Sequence, residues 1–437
     1  MTKLPANEKW DNNNFKKIFN ISHVANHWKF NLFGMYHHLV LNCDKQVYKN
    51  YTAKLSQLHN SGCQKTINVL FLIRQNSKWS YQSLYEEFEH NPNFNPVVAV
   101  SVIKTKHFTG NEEKELQQNY DFFKSRGIKT IKVYENKSFL DLEQFHPDIV
   151  FYDQPWGLPI IHEPLRISQF ALTAYCPYGV TLIESNIEYL KNFHNLLWRY
   201  FIEHKSLTAI YKQYDKHNHH NYITTGHPKF DIYLQKHHPQ TEPYWRNPQK
   251  FKIIYAPHHS FENNSLRCAT FAQNGKFILE WAKSHPETTW IFKPHPRFIE
   301  GVIRAKIMTA AEIDNYYQEW QKIGNIYTQG DYFNIFNSSD LMITDCLSFL
   351  AEYLPTGHPL IRLINPCSVK LNPWGEKLCS AYYSCHNNEE LSDMLNTIAI
   401  RRQDTAMCAR TQIIKENIPQ SSVAHLITTH LTEQLSV

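Results

Sequence analysis

The residues with the clearest chemical potential stand at the ends of three apolar segments in the second half of the chain. Each segment has the length of a strand and leads into polar residues: Phe251–Ala256 into Pro257-His258-His259-Ser260, Thr289–Phe292 into Lys293-Pro294-His295-Pro296-Arg297, and Leu341–Thr344 into Asp345-Cys346-Leu347-Ser348. The carboxyl ends of parallel strands share one edge of a sheet, so we expect these polar residues to converge. Imidazole, ammonium and guanidinium groups at one edge would attract an anion.

The basic side chains at this edge suit the binding of a phosphorylated ligand. Lys293, His295 and Arg297 can donate charge-assisted hydrogen bonds to phosphate oxygens, each about twice as strong as a neutral one. His258 and His259 would stand at the same edge. A lone histidine is more often a surface residue or a satisfied core residue, so the interpretation depends on the convergence of the whole set.

The segment after the third strand adds further candidates. Ser348 falls in the first turn of a predicted helix, where free backbone N–H groups and the helix dipole favour negative charge. Glu352 lies one turn further on the same face and could accept hydrogen bonds from ribose hydroxyls. Thr344 and Asp345 complete the donor-binding set, although an Asp at a strand end also serves simply to cap the next helix.

The elements that must position these residues follow from the alternation of apolar strand-length segments with helical ones. The predicted strands of the first half are Ile67–Ile73, Val97–Val102, Ile128–Tyr134 and Ile149–Tyr152, with helices near Trp79–Phe88 and Glu112–Arg126. Those of the second half are Phe251–Ala256, Thr289–Phe292, Asn325–Thr328, Leu341–Thr344 and Pro359–Leu363, with helices at Lys276–Ser284, Ala311–Trp320, Tyr332–Asn337 and Leu347–Leu354. The pattern predicts an α/β fold of two Rossmann-like domains facing a central cleft, the GT-B-like arrangement.

We expect four regions along the chain. Residues 1–62 would form a helical N-terminal extension, and residues 63–235 the first Rossmann-like domain, which would bind the acceptor. Residues 250–385 would form the second Rossmann-like domain, which would bind a nucleotide donor, and residues 386–437 a C-terminal helical tail. The polar, His-rich and Pro-rich segment Gln235–Gln249 is the predicted linker.

Composition excludes several classes of protein. The 437 residues include 45 Lys and Arg against 40 Asp and Glu, and a net charge of +5 without long basic runs argues against a nucleic-acid partner. The 13 Gly form neither a GxxxxGK[ST] nor a GxGxxG loop, which removes the main support for P-loop and dinucleotide-binding enzymes. Any anion site must therefore use side chains such as those of the 25 His, together with helix ends.

Cysteine and histidine spacing gives no sign of a metal centre or a disulfide framework. The nine Cys contain no CxxC pair and are predicted to be reduced and mostly packed. The His-rich segments Gln213–Asn221 and Gln235–Gln240 lack paired Cys or an HExxH helix, so we interpret them as solvated loops. No signal peptide and no apolar run of about 18 residues is found, which predicts a cytoplasmic protein. The segment Asn14–Val40 mixes Lys, Trp, Phe and His and could lie on a membrane surface or pack on the first domain.

The order and spacing of the second-half motifs resemble the CDP-glycerol glycerophosphotransferases of teichoic-acid and capsule synthesis. That family carries a GYPRxD-like segment, a YAPTWR-like strand end, an HP segment and an ITDYSS…FDY block. The matching segments here are Thr225-Gly226-His227-Pro228-Lys229-Phe230-Asp231, Tyr255-Ala256-Pro257-His258-His259-Ser260, Lys293-Pro294-His295-Pro296, and Ser339–Ser348 with Glu352-Tyr353. The resemblance covers about Ile223–Leu363, roughly a third of the chain, and its last block is the most specific.

The resemblance implies a CDP-linked donor in the second domain. Glycerol phosphate or a related phospho-polyol would pass to a hydroxyl of a capsule, teichoic-acid-like or lipopolysaccharide acceptor, either a polysaccharide or lipid-linked, and CMP would leave. His295 would protonate or hydrogen-bond the leaving phosphate. No metal or other cofactor is expected, and the enzyme would act in the cytoplasm, in peripheral contact with the inner face of the membrane.

The first half departs from the family at the expected catalytic base. The family presents an HGTPLK-like segment after a strand, whereas this chain has Phe151-Tyr152-Asp153-Gln154-Pro155-Trp156-Gly157, with no His in register. Asp153 at the strand end and His162 downstream are the candidates for the base. Alternatively, Asp153 only orders its loop. The family's Ser pair is also reduced to Ser348, with Leu347 in place of the other.

Two other functions remain open. One is a GT-B glycosyltransferase that uses a CMP- or UDP-sugar for surface polysaccharide synthesis, because GT-B sialyltransferases also hold the nucleotide phosphate with an HP segment. The second acidic motif of those enzymes, a D/E-D/E-G tripeptide, is missing from this sequence. The other is a non-catalytic glycan-binding scaffold, which the missing HGTPLK-like His would permit.

Overall fold

The chain folds into two compact α/β units. The computed structural model describes residues 32–60, 65–104, 110–183, 192–214, 221–234, 244–261, 266–328 and 332–436. Within these residues, the first unit is drawn from Met1–Gly179, Asn186–Asp231 and Ser421–Val437, and the second from Val180–Ser185 and Ile232–Gln420. Each unit is built on its own parallel sheet, which confirms the predicted fold class of two Rossmann-like α/β parts.

The first unit holds nine strands among its described residues. In chain order they are β1 (Ile67–Ile73), β2 (Phe94–Val100), β3 (Thr130–Lys132), β4 (Tyr134–Glu135), β5 (Ser138–Phe139), β6 (Ile149–Tyr152), β7 (Leu172–Tyr175), β8 (Arg199–Ile202) and β9 (Tyr222–Thr224). Seven form a parallel sheet in the order β3-β2-β1-β6-β7-β8-β9, and β4 and β5 pair as a separate antiparallel hairpin. The central strands β1 and β6 are almost entirely apolar because both faces of a parallel sheet are covered.

Helices cover this sheet. They are α1 (Leu32–Asn60), α2 (Gln82–His90), α3 (Glu112–Lys124), α4 (Pro164–Ile167), α5 (Asn192–Asn195), α6 (Thr208–Tyr214) and a C-terminal helix, Val423–Leu435, which packs against α1 and α2.

Asp231 caps the start of the C-terminal helix, since its carboxylate accepts the backbone N–H groups of Val423 and Ala424 at 2.6 and 2.9 Å. His227 is fully buried and bonds to the Pro177 carbonyl through Nε2 at 2.8 Å. Two residues of the GYPRxD-like segment therefore hold the first unit together.

The sheet of the second unit has six parallel strands among the residues described. They are β10 (Phe251–Ala256), β11 (Thr288–Phe292), β12 (Gly324–Ile326), β13 (Leu341–Thr344), β14 (Leu360–Leu363) and β15 (Tyr383–Cys385), in the order β12-β11-β10-β13-β14-β15. The helices of this unit are α7 (Phe271–Ser284), α8 (Phe298–Arg304), α9 (Ala310–Ile323), α10 (Phe333–Ser338), α11 (Leu347–Glu352), α12 (Pro373–Cys379), α13 (Asn388–Leu395) and α14 (Met407–Asn417).

Most predicted elements are confirmed within a few residues, but the first sheet is larger than predicted. The short strands β7, β8 and β9 were missed, as was β15. The predicted strand Ile128–Tyr134 is wrong in length: it ends at Lys132, and the chain then turns back in the β4–β5 hairpin. Asn136 and Lys137 make this turn with φ of 49° and 58°, a conformation that Asn adopts more readily than most residues.

Some sequence predictions fall on parts of the chain outside the described residues. These are the first 31 residues of the predicted N-terminal extension, most of the segment Asn14–Val40, and most of the His-rich segments Gln213–Asn221 and Gln235–Gln249. Of the helices in the described ranges, none is both long and apolar enough to cross a membrane. The seven cysteines whose side chains are described are all free, and five of them are buried, as predicted for packed thiols.

Candidate functional site

The three predicted strand ends are neighbours at one edge of the second sheet. Strand β10 lies between β11 and β13, with Tyr255 opposite Phe292 and Ala256 opposite Thr344. The ladder continues past the end of β11, since the His295 N–H donates to the Pro257 carbonyl at 3.1 Å. This bond sets His295 beside the two histidines that follow Pro257. The predicted convergence of the three segments is therefore present.

The side chains of His258, His259 and His295 form a compact group, which we call the histidine cluster. The ring centroids of His259 and His295 lie 4.0 Å apart and nearly parallel, and that of His258 lies 4.4 and 4.9 Å from these two. His258 and His259 are buried, and His295 is partly exposed. A ligand would therefore reach the cluster from the His295 side.

Backbone hydrogen bonds fix the tautomers of two of the three rings. The Nδ1 atom of His258 accepts the N–H of Ser260 at 3.3 Å, and the Nδ1 atom of His295 accepts the N–H of Arg297 at 3.0 Å. A neutral imidazole that accepts at Nδ1 carries its proton on Nε2. His258 and His295 thus each offer an Nε2–H donor.

Burial keeps the inner rings neutral. Burial lowers the pKa of His258 well below its usual value, and the neighbouring His295 and His259 lower it further. Burial also lowers the pKa of His259, with Arg297 and Arg304 acting in the same direction. Among the described residues, no group forms a hydrogen bond with the buried Nδ1 atom of His259. His258 and His259 are therefore neutral near pH 7.

The cluster also has the proximity needed for a metal ion, which the sequence did not predict. Its candidate ligand nitrogens all lie within 4.8 Å of one another. A metal ligand must present an unprotonated nitrogen, yet the Nε2 atoms of His258 and His295 are protonated while Nδ1 accepts a backbone bond. The donor set consequently fits an anion better than a cation.

Lys293, two residues before His295 at the end of β11, lies in an aromatic cage. Its side chain is only 6% exposed, and its Nζ atom lies 4.8, 5.4 and 5.7 Å from the ring centroids of Tyr332, Phe349 and Tyr327. None of the described residues accepts a hydrogen bond from this ammonium group. Burial lowers the pKa of Lys293 to about 8, although Cys346 and Glu352 act in the opposite direction. A buried cation without a hydrogen-bond acceptor is costly, which favours a ligand that supplies one.

Asp345 and Thr344 position the loop that carries the cluster. The Asp345 carboxylate accepts the His258 N–H at 2.6 Å, and it accepts both the N–H and the hydroxyl of Thr270 at 2.7 and 2.9 Å. The Thr344 hydroxyl donates to the Ala256 carbonyl at 2.7 Å. Burial raises the pKa of Asp345 to about 6 despite these hydrogen bonds. Both side chains are thus engaged with the protein itself.

The other predicted donor-binding residues lie around this centre. Arg297 is exposed and pairs with Glu300 at 3.3 Å, so it stands at the rim. Ser348 is partly buried on α11, a helix of only six residues, with its Oγ atom 3.4 Å from the Cys346 sulfur. Glu352 is buried and accepts a hydrogen bond from the Tyr332 hydroxyl.

Helix α8 packs on the backbone of His259 at Gly301. A Cβ atom added to Gly301 would lie 2.8 Å from the His259 carbonyl oxygen. Real Cβ atoms do not approach a backbone oxygen so closely, so only glycine lets α8 pack at this distance. Helix α8 thus packs directly on the backbone of His259.

In the first unit, Asp153 forms a buried ion pair that the sequence did not predict. Arg74 follows β1 and Asp153 follows the neighbouring strand β6. The Arg74 guanidinium donates to the Asp153 carboxylate at 2.5 and 3.0 Å, and the Arg74 N–H donates to it at 2.7 Å. Both side chains are fully buried. Removing one partner of such a pair leaves an uncompensated charge in the interior.

His162 is also enclosed. It is fully buried, and Nε2 bonds to the Leu140 carbonyl at 2.8 Å. Burial lowers the pKa of His162 to about 4, so the ring is neutral near pH 7. The contacts of Asp153 and His162 favour structural roles. That either residue acts as the general base stays a prediction.

The next residue, Glu163, has a different environment and was missed by the sequence analysis. It is partly exposed at the start of α4, and none of the described residues donates a hydrogen bond to its carboxylate. Burial raises the pKa of Glu163 to about 7, against the opposing effect of Arg74 and Lys104. A carboxylate that titrates near neutrality can accept a proton at physiological pH. No sequence motif marks it, because its pKa depends on the surrounding fold.

Comparisons with known proteins show the fold. No protein-family model matches the chain, and no sequence of a curated protein matches it. A solved UDP-N-acetylglucosamine 2-epimerase aligns with a TM-score of 0.57 at 11% identity, over 85% of this chain and 97% of that one. A glycosyltransferase from Rickettsia africae aligns with 0.51 at 13% identity, over 85% and 99%. The wall teichoic acid polymerase TagF aligns with 0.51 at 11% identity, over 91% and 99%. The chain therefore has a GT-B-like fold.

Proposed function

We propose that the protein is a transferase that binds the diphosphate of a nucleotide-linked donor at Lys293 and the histidine cluster. The carrying observation is the buried ammonium group of Lys293, which lies in an aromatic cage and has no acceptor among the described residues. The Nε2–H groups of His258 and His295 supply two further donors. Phosphate oxygens accept such hydrogen bonds, and in a water-poor site the interaction is stronger than in solution.

The reaction we propose is the transfer of glycerol phosphate, or a related phospho-polyol, from a CDP-linked donor. The acceptor hydroxyl oxygen attacks the β-phosphorus, the bond from this phosphorus to the bridging oxygen breaks, and CMP leaves with that oxygen. Lys293 and the histidine donors stabilise the negative charge that develops on the phosphate oxygens. The motif resemblance supports the cytidine donor and a capsule, teichoic-acid-like or lipopolysaccharide acceptor at the cytoplasmic face of the membrane.

For the general base we propose Glu163. The acceptor hydroxyl loses its proton during the attack, and a carboxylate with a pKa of about 7 is suited to take it. Asp153 is bound by Arg74, and the imidazole of His162 bonds to a carbonyl within the core. These contacts favour Glu163 over both.

A donor panel tests the nucleotide site. Thermal unfolding would be followed with CDP, CMP, UDP and GDP, for the wild type and for His258→Ala. We expect CDP and CMP to stabilise the wild type selectively by binding the folded state, and His258→Ala to lose most of this shift. A matched control is His285→Ala, which removes a histidine that stacks on Trp281 elsewhere in the second unit. No shift with any nucleotide would refute the proposal.

A second candidate is transfer of a sugar from a UDP- or CMP-linked donor. Structural likeness to a UDP-N-acetylglucosamine 2-epimerase and to a glycosyltransferase favours it. The same anion site would then hold the nucleotide diphosphate. Selective stabilisation by UDP over CDP would support this candidate, and a glycosidic product would establish it.

A further inference from the structure

The loop after β6 is held by an unusually complete clamp. Besides binding Asp153, the guanidinium of Arg74 donates to the carbonyl oxygens of Gln154 and Trp156. Gly157 follows with a φ of +71°, and a Cβ atom there would lie 2.7 Å from Ile103. The backbone of the loop is thus fixed from Asp153 to Gly157. The fixed loop presents Trp156, whose side chain is 39% exposed.

Trp156 belongs to a small surface with Tyr178 and Lys78, which we call the aromatic platform. The rings of Trp156 and Tyr178 meet edge to face, with centroids 5.8 Å apart. The Lys78 Nζ atom lies 3.8 Å from the centroid of the Tyr178 ring. A tryptophan and an ammonium group therefore both contact the same tyrosine ring.

Positive charge accumulates beside the platform. Burial lowers the pKa of Lys78, and the nearby positive charge of Lys229 lowers it further, while Asp153 opposes both. An anion bound at Lys78 would reduce this repulsion. The loop also contains a local cost: both amide atoms of the buried Gln154 have no hydrogen-bond partner among the described residues. An unsatisfied buried amide destabilises the folded state, so the loop is not arranged for stability alone.

We propose that the aromatic platform is an acceptor subsite for an acidic glycan. The apolar face of one sugar ring would pack on Trp156, where an aromatic ring gives a large contact area at little entropic cost. A phosphate or carboxylate of the glycan would be bound by Lys78, with Lys229 adding attraction. Naming this glycan as the acceptor rests on the proposed transferase function, but its binding does not require the donor.

Calorimetric titration of the donor-free protein tests the subsite. The probes are maltotetraose 6-phosphate, a hyaluronan tetrasaccharide as the carboxylate-bearing glycan, and unmodified maltotetraose as the neutral one. We expect at least one acidic probe to bind the wild type, and Trp156→Ala to weaken it roughly tenfold through lost ring contact. Lys78→Met should weaken it by a similar factor through the lost charge-assisted hydrogen bond.

Lys132→Met is the matched control, because Lys132 is exposed in the same unit and its Nζ atom lies 4.8 Å from the ring of Tyr120. It should bind as the wild type does. Equal binding by wild type and Trp156→Ala, equal binding of the neutral and acidic probes, or equal weakening by Lys132→Met would overturn the proposal. None of these results depends on nucleotide binding. The nucleotide panel can therefore support the donor site while the glycan titration refutes the aromatic platform, or the opposite.

Discussion

Replacing Lys293 by Met should make the protein more stable while it abolishes tight nucleotide binding. Burial lowers the pKa of Lys293 from 10.5 to about 8, so the folded state resists protonation that the unfolded chain accepts. Between pH 8 and pH 10.5 the unfolded chain holds one proton more, and the free energy of unfolding rises with pH. Below pH 8 the charged lysine therefore costs the folded state up to about 3 kcal/mol, from 1.36 kcal/mol per pKa unit.

Methionine keeps a similar length and removes the charge. Loss of the cation–π contacts reduces this gain in stability by about 1 kcal/mol. The free energy of unfolding of Lys293→Met should therefore be about 1–2 kcal/mol higher than that of the wild type at pH 7. The difference should shrink as the pH rises from 8 toward 10.5. The same variant should bind CDP roughly 10- to 100-fold more weakly, as expected for a lost hydrogen bond to a charged group.

Urea unfolding at pH 7 and pH 10, together with calorimetric titration of CDP, measures both effects. Lys276→Met is the control, since Lys276 is exposed on α7 and should alter neither quantity. A lysine that only supports the fold would give the opposite result, a less stable variant at pH 7 with CDP affinity unchanged. That outcome would refute the assignment of Lys293 to an anion site.

Three further predictions concern the remaining groups of the two units. In a CMP-release assay, the turnover rate of the wild type should rise as the pH increases through about 7, because Glu163 loses its proton. The turnover rate of Glu163→Gln should be roughly 100-fold lower and should not show this rise. Asp345→Asn should lower the free energy of unfolding in urea by about 1–3 kcal/mol, because the amide nitrogen of Asn cannot accept a hydrogen bond and leaves the N–H of His258 or the donors of Thr270 buried without an acceptor. Nitrogen NMR at pH 7.5 should find His258 and His295 with the proton on Nε2; the Nδ1-protonated tautomer would contradict the anion-site geometry.

The convergence of the three strand ends in the second sheet could be predicted from the sequence because it depends on a short-range pattern. Apolar segments such as Phe251–Ala256 reveal buried parallel strands, and the residues directly after them must lie at one edge of the sheet. From that rule alone, Lys293 and His295 after β11 are expected to lie next to the residues that follow β10. It could not give ring orientations or tautomers, which follow from backbone hydrogen bonds in each loop.

Contacts between distant segments were beyond the sequence. The cage around Lys293 combines Tyr327, which follows β12, with Tyr332 just before α10 and Phe349 on α11, and only the packing of these elements brings them together. Arg74 pairs with Asp153 because β1 and β6 are adjacent, a neighbour relation that the order of strands along the chain does not reveal. Strand β7 was missed because Thr173 and Ala174 interrupt the continuous apolar run that marks equally short strands such as β6.

The most direct test of the transferase proposal is the identity of the product. The protein would be incubated with CDP-glycerol, with CMP- and UDP-linked sugars in parallel, and with a hydroxyl-bearing polyol phosphate oligomer as acceptor, and the products would be weighed by mass spectrometry. The proposed function predicts CMP release only from CDP-glycerol, with an acceptor heavier by one glycerol phosphate, and loss of both in Lys293→Met. An acceptor that gains a sugar from a UDP- or CMP-linked donor, with CDP-glycerol left intact, would contradict it.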